Sequence, residues 1–240
     1  NYTKDLIQDQ LYVGSYLLLS FLSFMPGVFL FFFKNVENVQ EDSLKEGNIR
    51  NLKFIVLQPR FLQAITAAAF AYAVMSFLMT ATPLSMHVME NMSLKETGLV
   101  LQFHVVAMFL PSLITGNLIK KYGHSAIIYG GVLFFFITVL LSLFEQTYLN
   151  YMLSLIFLGL GWNFLFISGT SLVVLTYNKE EKFKVQGIND LIVFSTMALA
   201  SLSAGILLNS IGWKMMNLIC IPFLVLIILV SFMADKKSVS

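Results

Sequence analysis

The stretch GLGWNFLFISGTS, residues Gly159 to Ser171, lies inside an apolar run that extends from about Leu149 to Thr176. A run of this length is long enough to cross a bilayer as a helix. Its centre nevertheless carries Trp162, Asn163 and Ser168, where a lipid-facing helix would have leucine or valine. Polar side chains at that depth need a protein or water partner, because lipid offers none. The stretch therefore predicts a helix that faces a polar pathway inside a helical bundle.

The composition indicates an integral membrane protein. Hydrophobic residues make up 58% of the 240 residues and charged residues only 12%, with 23 Phe and 12 Met. A water-soluble domain of this size does not cover so much apolar surface. The net charge is only +2 and no basic cluster is interleaved with aromatic residues, so we expect no nucleic-acid partner. The single Cys220 forms neither a disulfide pair nor a metal motif, and no metal or cofactor is predicted.

Apolar segments of sufficient length occur seven times, which predicts an all-α polytopic membrane protein. The predicted spans are residues 11–33, 60–86, 97–119, 125–144, 149–176, 187–209 and 213–234. A polar linker, residues 34–59, separates the first span from the other six. The predicted organisation is a last helix of a preceding bundle in residues 1–33, the linker 34–59, a six-helix bundle in residues 60–234 and a tail in residues 235–240.

The basic residues predict the orientation of these spans. If the spans alternate in direction, Lys4, Lys95 and Lys214 lie on one side, whereas all other Lys and Arg residues lie on the opposite side. By the positive-inside rule, the side rich in basic residues is cytoplasmic. We therefore expect the linker and the carboxy terminus in the cytoplasm, in a membrane that is the cytoplasmic (inner) membrane of a bacterium.

Polar side chains are distributed unevenly among the six spans after the linker. Residues 125–144 and 213–234 have few of them and are predicted to face lipid. The other four spans each carry several Ser, Thr, Asn or Gln side chains and are predicted to face the interior. An odd number of spans fits either a seven-helix receptor or the later part of a larger transporter, and the linker before a set of six favours the transporter. The sequence has no H-E-x-x-H motif, no paired intramembrane carboxylates and no glycine-rich phosphate loop, so an enzyme is not predicted.

The segment GNLIKKYGH, residues Gly116 to His124, resembles the short cytoplasmic loop motif G-x-L-x-D-R-x-G-R of the major facilitator superfamily (MFS) of secondary transporters. Lys120 and His124 depart from this motif, whereas the matching positions are Gly116, Leu118, Lys121 and Gly123. The resemblance implies twelve helices in two halves, of which this chain holds the last helix of the first half and the whole second half. It also implies alternating access, a small-molecule substrate, a missing first half as partner, and in some members a coupling proton or cation. The third and sixth helices of the second half face lipid in this family, which agrees with the polar pattern.

A narrower resemblance concerns the substrate. Several short stretches are similar to a bacterial subgroup of the superfamily that includes riboflavin importers. They are TPL at 82–84, QFH at 102–104, GNLI at 116–119, GWNF at 161–164 and QGIND at 186–190. This resemblance implies riboflavin or another small organic molecule as the substrate.

The polar and aromatic residues of the lining spans are the candidates for the substrate pathway: Asn163, Trp162, Phe166, Thr170, Gln102, His104 and Tyr72. Asn163 and Thr170 are seven residues apart and so share a helix face. Asn163 either contacts the substrate or forms an interhelical hydrogen bond beside Gly159 and Gly161, which let helices approach closely. Trp162 either stacks on a flat substrate or fills the bundle.

Gln102 and His104 cannot both face the cavity, because residues two apart on a helix point in different directions. His104 titrates near neutral pH in its ordinary environment and is a candidate for proton coupling. Alternatively, its ring is held by a neighbouring serine or carbonyl group.

A second set of candidates concerns gating and consists of Gly116, Lys120, Lys121, Gly123 and Asp190. In the loop motif the two glycines permit a tight turn and the lysines anchor it at the cytoplasmic face. Asp190 is predicted to lie in the first turn of its span, where the terminal amides of a helix favour a carboxylate. The family resemblance implies another role, in which Asp190 latches the inner gate against the loop of the first half.

Overall fold

The computed structural model describes residues 13–32 and 50–239. These residues are helical almost throughout and fall into two units, α1 in one and residues 50–239 in the other. The helices are α1 (Val13–Phe32), α2 (Leu52–Val56), α3 (Pro59–Pro83), α4 (Leu94–Phe109), α5 (Ser112–Tyr122), α6 (His124–Ser142), α7 (Tyr148–Val174), α8 (Lys182–Ile219) and α9 (Ile221–Val239). A π-helical turn (Leu84–Met89) extends α3, and a short 3₁₀ helix (Lys179–Glu181) precedes α8.

The membrane spans do not coincide one to one with these helices. Helices α4 and α5 form one span of 29 residues, Leu94–Tyr122, which is broken at Pro111 because proline has no amide hydrogen to continue the helix. The last apolar stretch, Lys179–Lys237, has 59 residues. At about 1.5 Å per residue it would measure roughly 90 Å as one helix, about three times the hydrocarbon thickness of a bilayer. Gly212, with φ 76° and ψ 170°, breaks it into two crossings. The predicted all-α polytopic fold is confirmed.

Some predicted boundaries differ from the structure. Helix α8 begins at Lys182, five residues before the predicted start at residue 187, and α9 continues to Val239 through most of the predicted tail. The linker contains a short helix, α2, that was not predicted, since five residues are too few to show a helical pattern in the sequence. Residues 34–49, which make up most of the linker, lie outside the described residues.

Helix α7 contacts three neighbouring helices through glycine. A Cβ atom added to Gly159 would lie 2.7 Å from the carbonyl oxygen of His104 in α4. A Cβ added to Gly161 would lie 3.0 Å from the Gly131 oxygen in α6, and one added to Gly169 would lie 2.8 Å from the Ala64 oxygen in α3. Backbones approach this closely only where side chains are absent. The opening stretch of the sequence thus places α7 at the centre of the bundle.

Helix α3 is the second central helix, and it packs against α7, α8 and α9. Its alanine-rich face is fully buried. Helix α9 buries one stripe, Leu224, Ile227, Ser231 and Ala234, and most of its other described side chains are exposed, which suits a peripheral helix. The α4–α5 span is the least buried span of the unit formed by residues 50–239.

Candidate functional site

An aromatic cluster lies where α3 and α7 meet. The rings of Trp162 and Phe166 are stacked, with centroids 4.9 Å apart and an interplanar angle of 14°. Tyr72 of α3 presents its ring edge to both, at 5.4 Å from Trp162 and 5.0 Å from Phe166. Tyr72 and Trp162 each lie roughly 20 Å from the first residue of their helices, at about 1.5 Å per residue. The cluster is therefore near the middle of both helices.

Two further aromatic residues extend the cluster to α4 and α8. Phe109 packs edge-on against Trp162 at 5.9 Å, and Phe194 against Tyr72 at 6.1 Å. Both are about half exposed, at 58% and 51%. The cluster, defined as Tyr72, Phe109, Trp162, Phe166 and Phe194, thus draws on four helices. Trp162 forms its buried base, and Phe109 and Phe194 form its exposed rim. Phe109 and Phe194 were not predicted, since phenylalanine in an apolar span carries no signal of its own.

Trp162 forms the base of this aromatic cluster. Its side chain is 5% exposed, and its Nε1–H has no hydrogen-bond partner among the described residues. A buried tryptophan usually finds an acceptor for this group. Trp162 therefore holds a buried N–H group whose hydrogen-bonding capacity is unused among the described residues.

Asn163, the next residue, has a different environment. It is fully buried, and its Nδ2 donates to the Met108 carbonyl oxygen (2.6 Å) and to Ser112 Oγ (2.7 Å). Its Oδ1 accepts from Thr115 Oγ1 (2.6 Å). The last four carbonyl groups of a helix have no partner within that helix, and Met108 is one of these in α4. Asn163 therefore links the end of α4 to the start of α5 across the break at Pro111.

His104 and Gln102 have different environments, as their spacing on α4 requires. His104 is fully buried, and its Nδ1 lies 2.7 Å from the Leu155 carbonyl oxygen of α7. Because a carbonyl only accepts, Nδ1 carries the hydrogen. The Nε2 atom has no partner among the described residues. Gln102 is exposed on the other side of α4.

Thr170 is half-buried two turns after Asn163 on α7. Its hydroxyl donates to the carbonyl oxygen of Phe166 in its own helix, at 2.8 Å. Because the hydroxyl is bonded within its own helix, the side chain of Thr170 presents to its surroundings nearly the same surface as a valine would.

The loop motif forms a tighter turn than the sequence suggested. Gly116 lies inside α5, so the prediction that two glycines form the turn is wrong: Gly123 alone does so, with φ 83°, because α5 continues to Tyr122. Lys120 and Lys121 are exposed in the last turn of α5, and Lys121 Nζ lies 5.0 Å from the Tyr122 ring centre. Both lysines are well placed there, because cations interact favourably with the carboxy terminus of a helix.

Asp190 requires a correction. Because α8 begins at Lys182, Asp190 lies about two turns inside the helix, beyond the reach of the terminal amides that were expected to stabilise it. Its Oδ1 accepts from Asn189 Nδ2 at 3.0 Å, and the residue is exposed. Its role as a gate latch stays a prediction.

Two ion pairs join elements at the end of the bundle that is rich in basic residues. Arg50, just before α2, contacts the buried Glu181 through two nitrogen atoms, with Nη2 to Oε2 at 2.6 Å and Nε to Oε1 at 3.0 Å. The Asn178 backbone N–H also donates to Glu181 Oε2 at 2.9 Å, so both oxygen atoms of the carboxylate are hydrogen-bonded.

The second ion pair links three spans. Arg60 Nη1 of α3 lies 2.9 Å from Asp235 Oδ1 of α9, and Ser125 of α6 donates to the same carboxylate oxygen at 2.6 Å. Gln63 and Tyr129 complete this network with bonds of 2.9 Å to Ser125 and 3.1 Å to Asp235. The described residues hold no group of three or more His, Cys, Asp or Glu side chains suited to a metal ion.

A bundle of membrane-spanning helices that gathers aromatic and polar side chains at mid-depth has the architecture of a membrane transport protein. The model of the Major Facilitator Superfamily matches residues 64–240. The chain belongs to this family of transporters.

Several relatives support this membership. The riboflavin transporter RfnT of Brucella anthropi is 35% identical over 227 residues, which are 95% of this chain and 57% of that protein. Two uncharacterised MFS-type transporters of Bacillus subtilis also match. YdeG is 26% identical over 86% of this chain and 50% of its own length, and YddS is 32% identical over 65% and 37%. The chain spans about half the length of the curated relatives it matches.

Proposed function

We propose that this chain supplies the second half, and the last helix of the first half, of a secondary transporter for a small planar aromatic solute. Riboflavin is the first candidate, because a relative with 35% identity is a riboflavin transporter. The observation that carries the proposal is the aromatic cluster at mid-depth on the helices predicted to line the pathway.

The chemistry of the cluster supports a flat solute. Offset and edge-on aromatic contacts contribute about 0.5–1.5 kcal/mol per pair beyond the burial of their area. Phe109 and Phe194 expose ring surface to the open side of the cluster, and Trp162 holds an unpaired N–H donor at its base. The ring system of riboflavin is planar and carries carbonyl and ring-nitrogen acceptors, so it offers partners for both features.

Alternating access requires a second bundle that closes over this cluster. The α4–α5 span exposes large apolar side chains on its surface, among them Phe103, Val106 and Leu110. Such a surface is suited to packing against further helices. In this proposal the first half packs there, and the cluster lies between the two halves.

Uptake of riboflavin by cells that cannot synthesise it tests the proposal. The full-length protein should restore growth on low riboflavin, and Phe166→Leu should raise the concentration required. Phe164→Leu is a matched control, because Phe164 is also half-buried in α7 but contacts Phe134 of α6 instead of the cluster. Equal loss of uptake in both variants, or none in either, would argue against the cluster as the site.

The proposed orientation places the carboxy terminus and the α5–α6 turn in the cytoplasm, as the basic residues indicate. In this arrangement Gly116, Lys120, Lys121, Gly123 and Asp190 belong to the inner gate. Asp190→Asn should change the rate of uptake but leave substrate affinity unchanged, as measured by binding to purified protein. Unchanged uptake would remove Asp190 from the gate.

A further inference from the structure

We propose that a groove between α8 and α9 binds one acyl chain of a membrane phospholipid. Its floor is the face of α3 that includes Phe70 and Phe77, and its walls include Leu199 and Ser203 of α8 and Phe223 of α9. The groove encloses about 540 Å³. This volume lies within the usual range of pockets that hold small ligands, about 300–1,000 Å³.

The backbone explains why the groove is open. Helix α8 packs on α3, whereas α9 packs mainly on α3 and α6 rather than on α8. The non-helical Gly212, with φ 76°, redirects the chain after the first crossing, and Pro222 follows at the start of α9. The two crossings therefore diverge over α3 and leave a space between them.

The lining of the groove suits hydrocarbon rather than a polar solute. Its two hydroxyl groups bond to their own helix: Thr196 Oγ1 donates to the Ile192 carbonyl oxygen (2.9 Å) and Ser203 Oγ to that of Ala200 (2.9 Å). The other lining side chains are Phe, Ala, Val, Leu, Ile and one Cys. Water needs two or more polar partners to occupy a cavity, and this lining offers few.

The position of the groove distinguishes it from the aromatic cluster. Phe194 belongs to the cluster, and Ser203 follows nine residues later, which is two and a half turns and therefore the opposite side of α8. The rim includes Leu199, which is 68% exposed, and Phe223, which is 40% exposed. These residues continue into the apolar outer side of α9, which belongs to the span 213–234 that the sequence predicts to face lipid.

The direction of the groove fits an acyl chain. Thr196 lies roughly 20 Å from the start of α8, near mid-depth, whereas Leu207 lies within roughly 8 Å of Gly212, at about 1.5 Å per residue. The groove thus runs along one leaflet, from the middle of the membrane toward its surface. A lipid chain takes the same course.

A photoreactive phospholipid tests this proposal on the full-length protein in vesicles of phosphatidylethanolamine and phosphatidylglycerol. The lipid carries a diazirine at the middle of one acyl chain, and labelled peptides are identified by mass spectrometry. We expect label on the lining residues of α3, α8 and α9. Ser203→Phe, which fills the groove, should lose this label, whereas Ser203→Ala should keep it. Val225→Phe, on the exposed side of α9, adds a ring outside the groove and should also keep it.

The map of labels on the unsubstituted protein is decisive by itself if Ser203→Phe does not fold. Labels confined to exposed side chains such as Val225, with none in the groove, would overturn the proposal and indicate that another part of the longer protein covers it. Retention of the groove label in folded Ser203→Phe would also overturn it. A label competed by riboflavin would overturn it as well, because the groove would then belong to the substrate pathway.

Discussion

Two sides of helix α7 are equally buried but differ in how their polar atoms are satisfied. On the side facing α4 and α5, Asn163 is fully buried and every polar atom of its amide is hydrogen-bonded to protein. On the side facing α3, Trp162 is 5% exposed and its N–H has no partner among the described residues. These residues are adjacent in the sequence.

The difference separates a structural role from a candidate binding role. Satisfied polar groups stabilise a fold and leave no capacity for a ligand. An unpaired buried donor costs free energy in the absence of a ligand, and a substrate that accepts its hydrogen recovers that cost. Substitution of Asn163 should therefore affect stability, and substitution of Trp162 should affect transport.

The largest effect is expected at Gly159, on the α4 side. Gly159→Val places a Cβ 2.7 Å from the His104 carbonyl oxygen and 3.0 Å from the Met108 nitrogen, so two backbones must separate. We expect a loss of at least about 3 kcal/mol in stability and little folded protein in the membrane. Fluorescence-detected size exclusion of the solubilised protein measures this. Gly98→Val is the control, since nothing lies within 4 Å of a Cβ at Gly98. Normal folding of Gly159→Val would mean that α4 and α7 pack less closely.

The next effect is expected at Asn163. Asn163→Leu removes the donor to the Met108 carbonyl, which then lies buried without this partner. The expected loss of stability is about 2 kcal/mol, the usual cost of an unsatisfied buried polar group. Thermal unfolding in detergent measures it, and Asn150→Leu, at the exposed start of α7, should change it little. If unfolding is unchanged but substrate affinity falls, Asn163 belongs to the binding site and the comparison between the two sides fails.

On the α3 side, Trp162→Phe keeps an aromatic ring but removes the N–H. The smaller ring loses packing, but removing an unpaired buried donor recovers part of that loss in free energy. The net loss of stability should therefore be at most about 1 kcal/mol. We expect a several-fold higher KM for uptake, because the substrate loses a hydrogen bond worth about 1 kcal/mol. Trp213→Phe is the matched control: Trp213 is also 5% exposed but packs on Tyr151, away from the cluster. An unchanged KM in Trp162→Phe would show that this N–H does not contact the substrate.

Much of the fold could be predicted from the sequence, because bilayer thickness and backbone hydrogen bonding leave few solutions for long apolar segments. The turn at Gly212 falls in the interval predicted between the spans 187–209 and 213–234. The break at Pro111 was not predicted, because it interrupts a span without ending it. The start of α8 was missed because its first turns are polar and precede the apolar part of the span.

The candidate site could be predicted only in part. Trp162, Phe166 and Tyr72 were predicted individually, and the structure brings them together. Asn163 and His104 were equally compatible with a ligand or a neighbouring helix, because a sequence shows which groups need partners but not which groups supply them. His104 bonds to the backbone carbonyl of Leu155, and Asn163 bonds to that of Met108 in addition to two hydroxyl groups. Every residue has a backbone carbonyl, so the sequence does not single out these partners.

The smallest effect is expected at Thr170, which tests whether sharing a helix face with Asn163 implies a shared role. Its hydroxyl donates to the Phe166 carbonyl oxygen. That oxygen also accepts a backbone hydrogen bond within α7, so Thr170→Val leaves no buried group without a partner. We expect stability to change by less than about 0.5 kcal/mol and uptake to stay within about twofold. Thermal unfolding and uptake kinetics of Thr170→Val and Thr170→Ser measure this. A loss of uptake in Thr170→Val that Thr170→Ser does not share would show that the hydroxyl leaves its helix to contact the substrate. The α4 side of α7 would then both stabilise the fold and contact the substrate. The hydrogen bonds seen in one conformation would not distinguish these two roles.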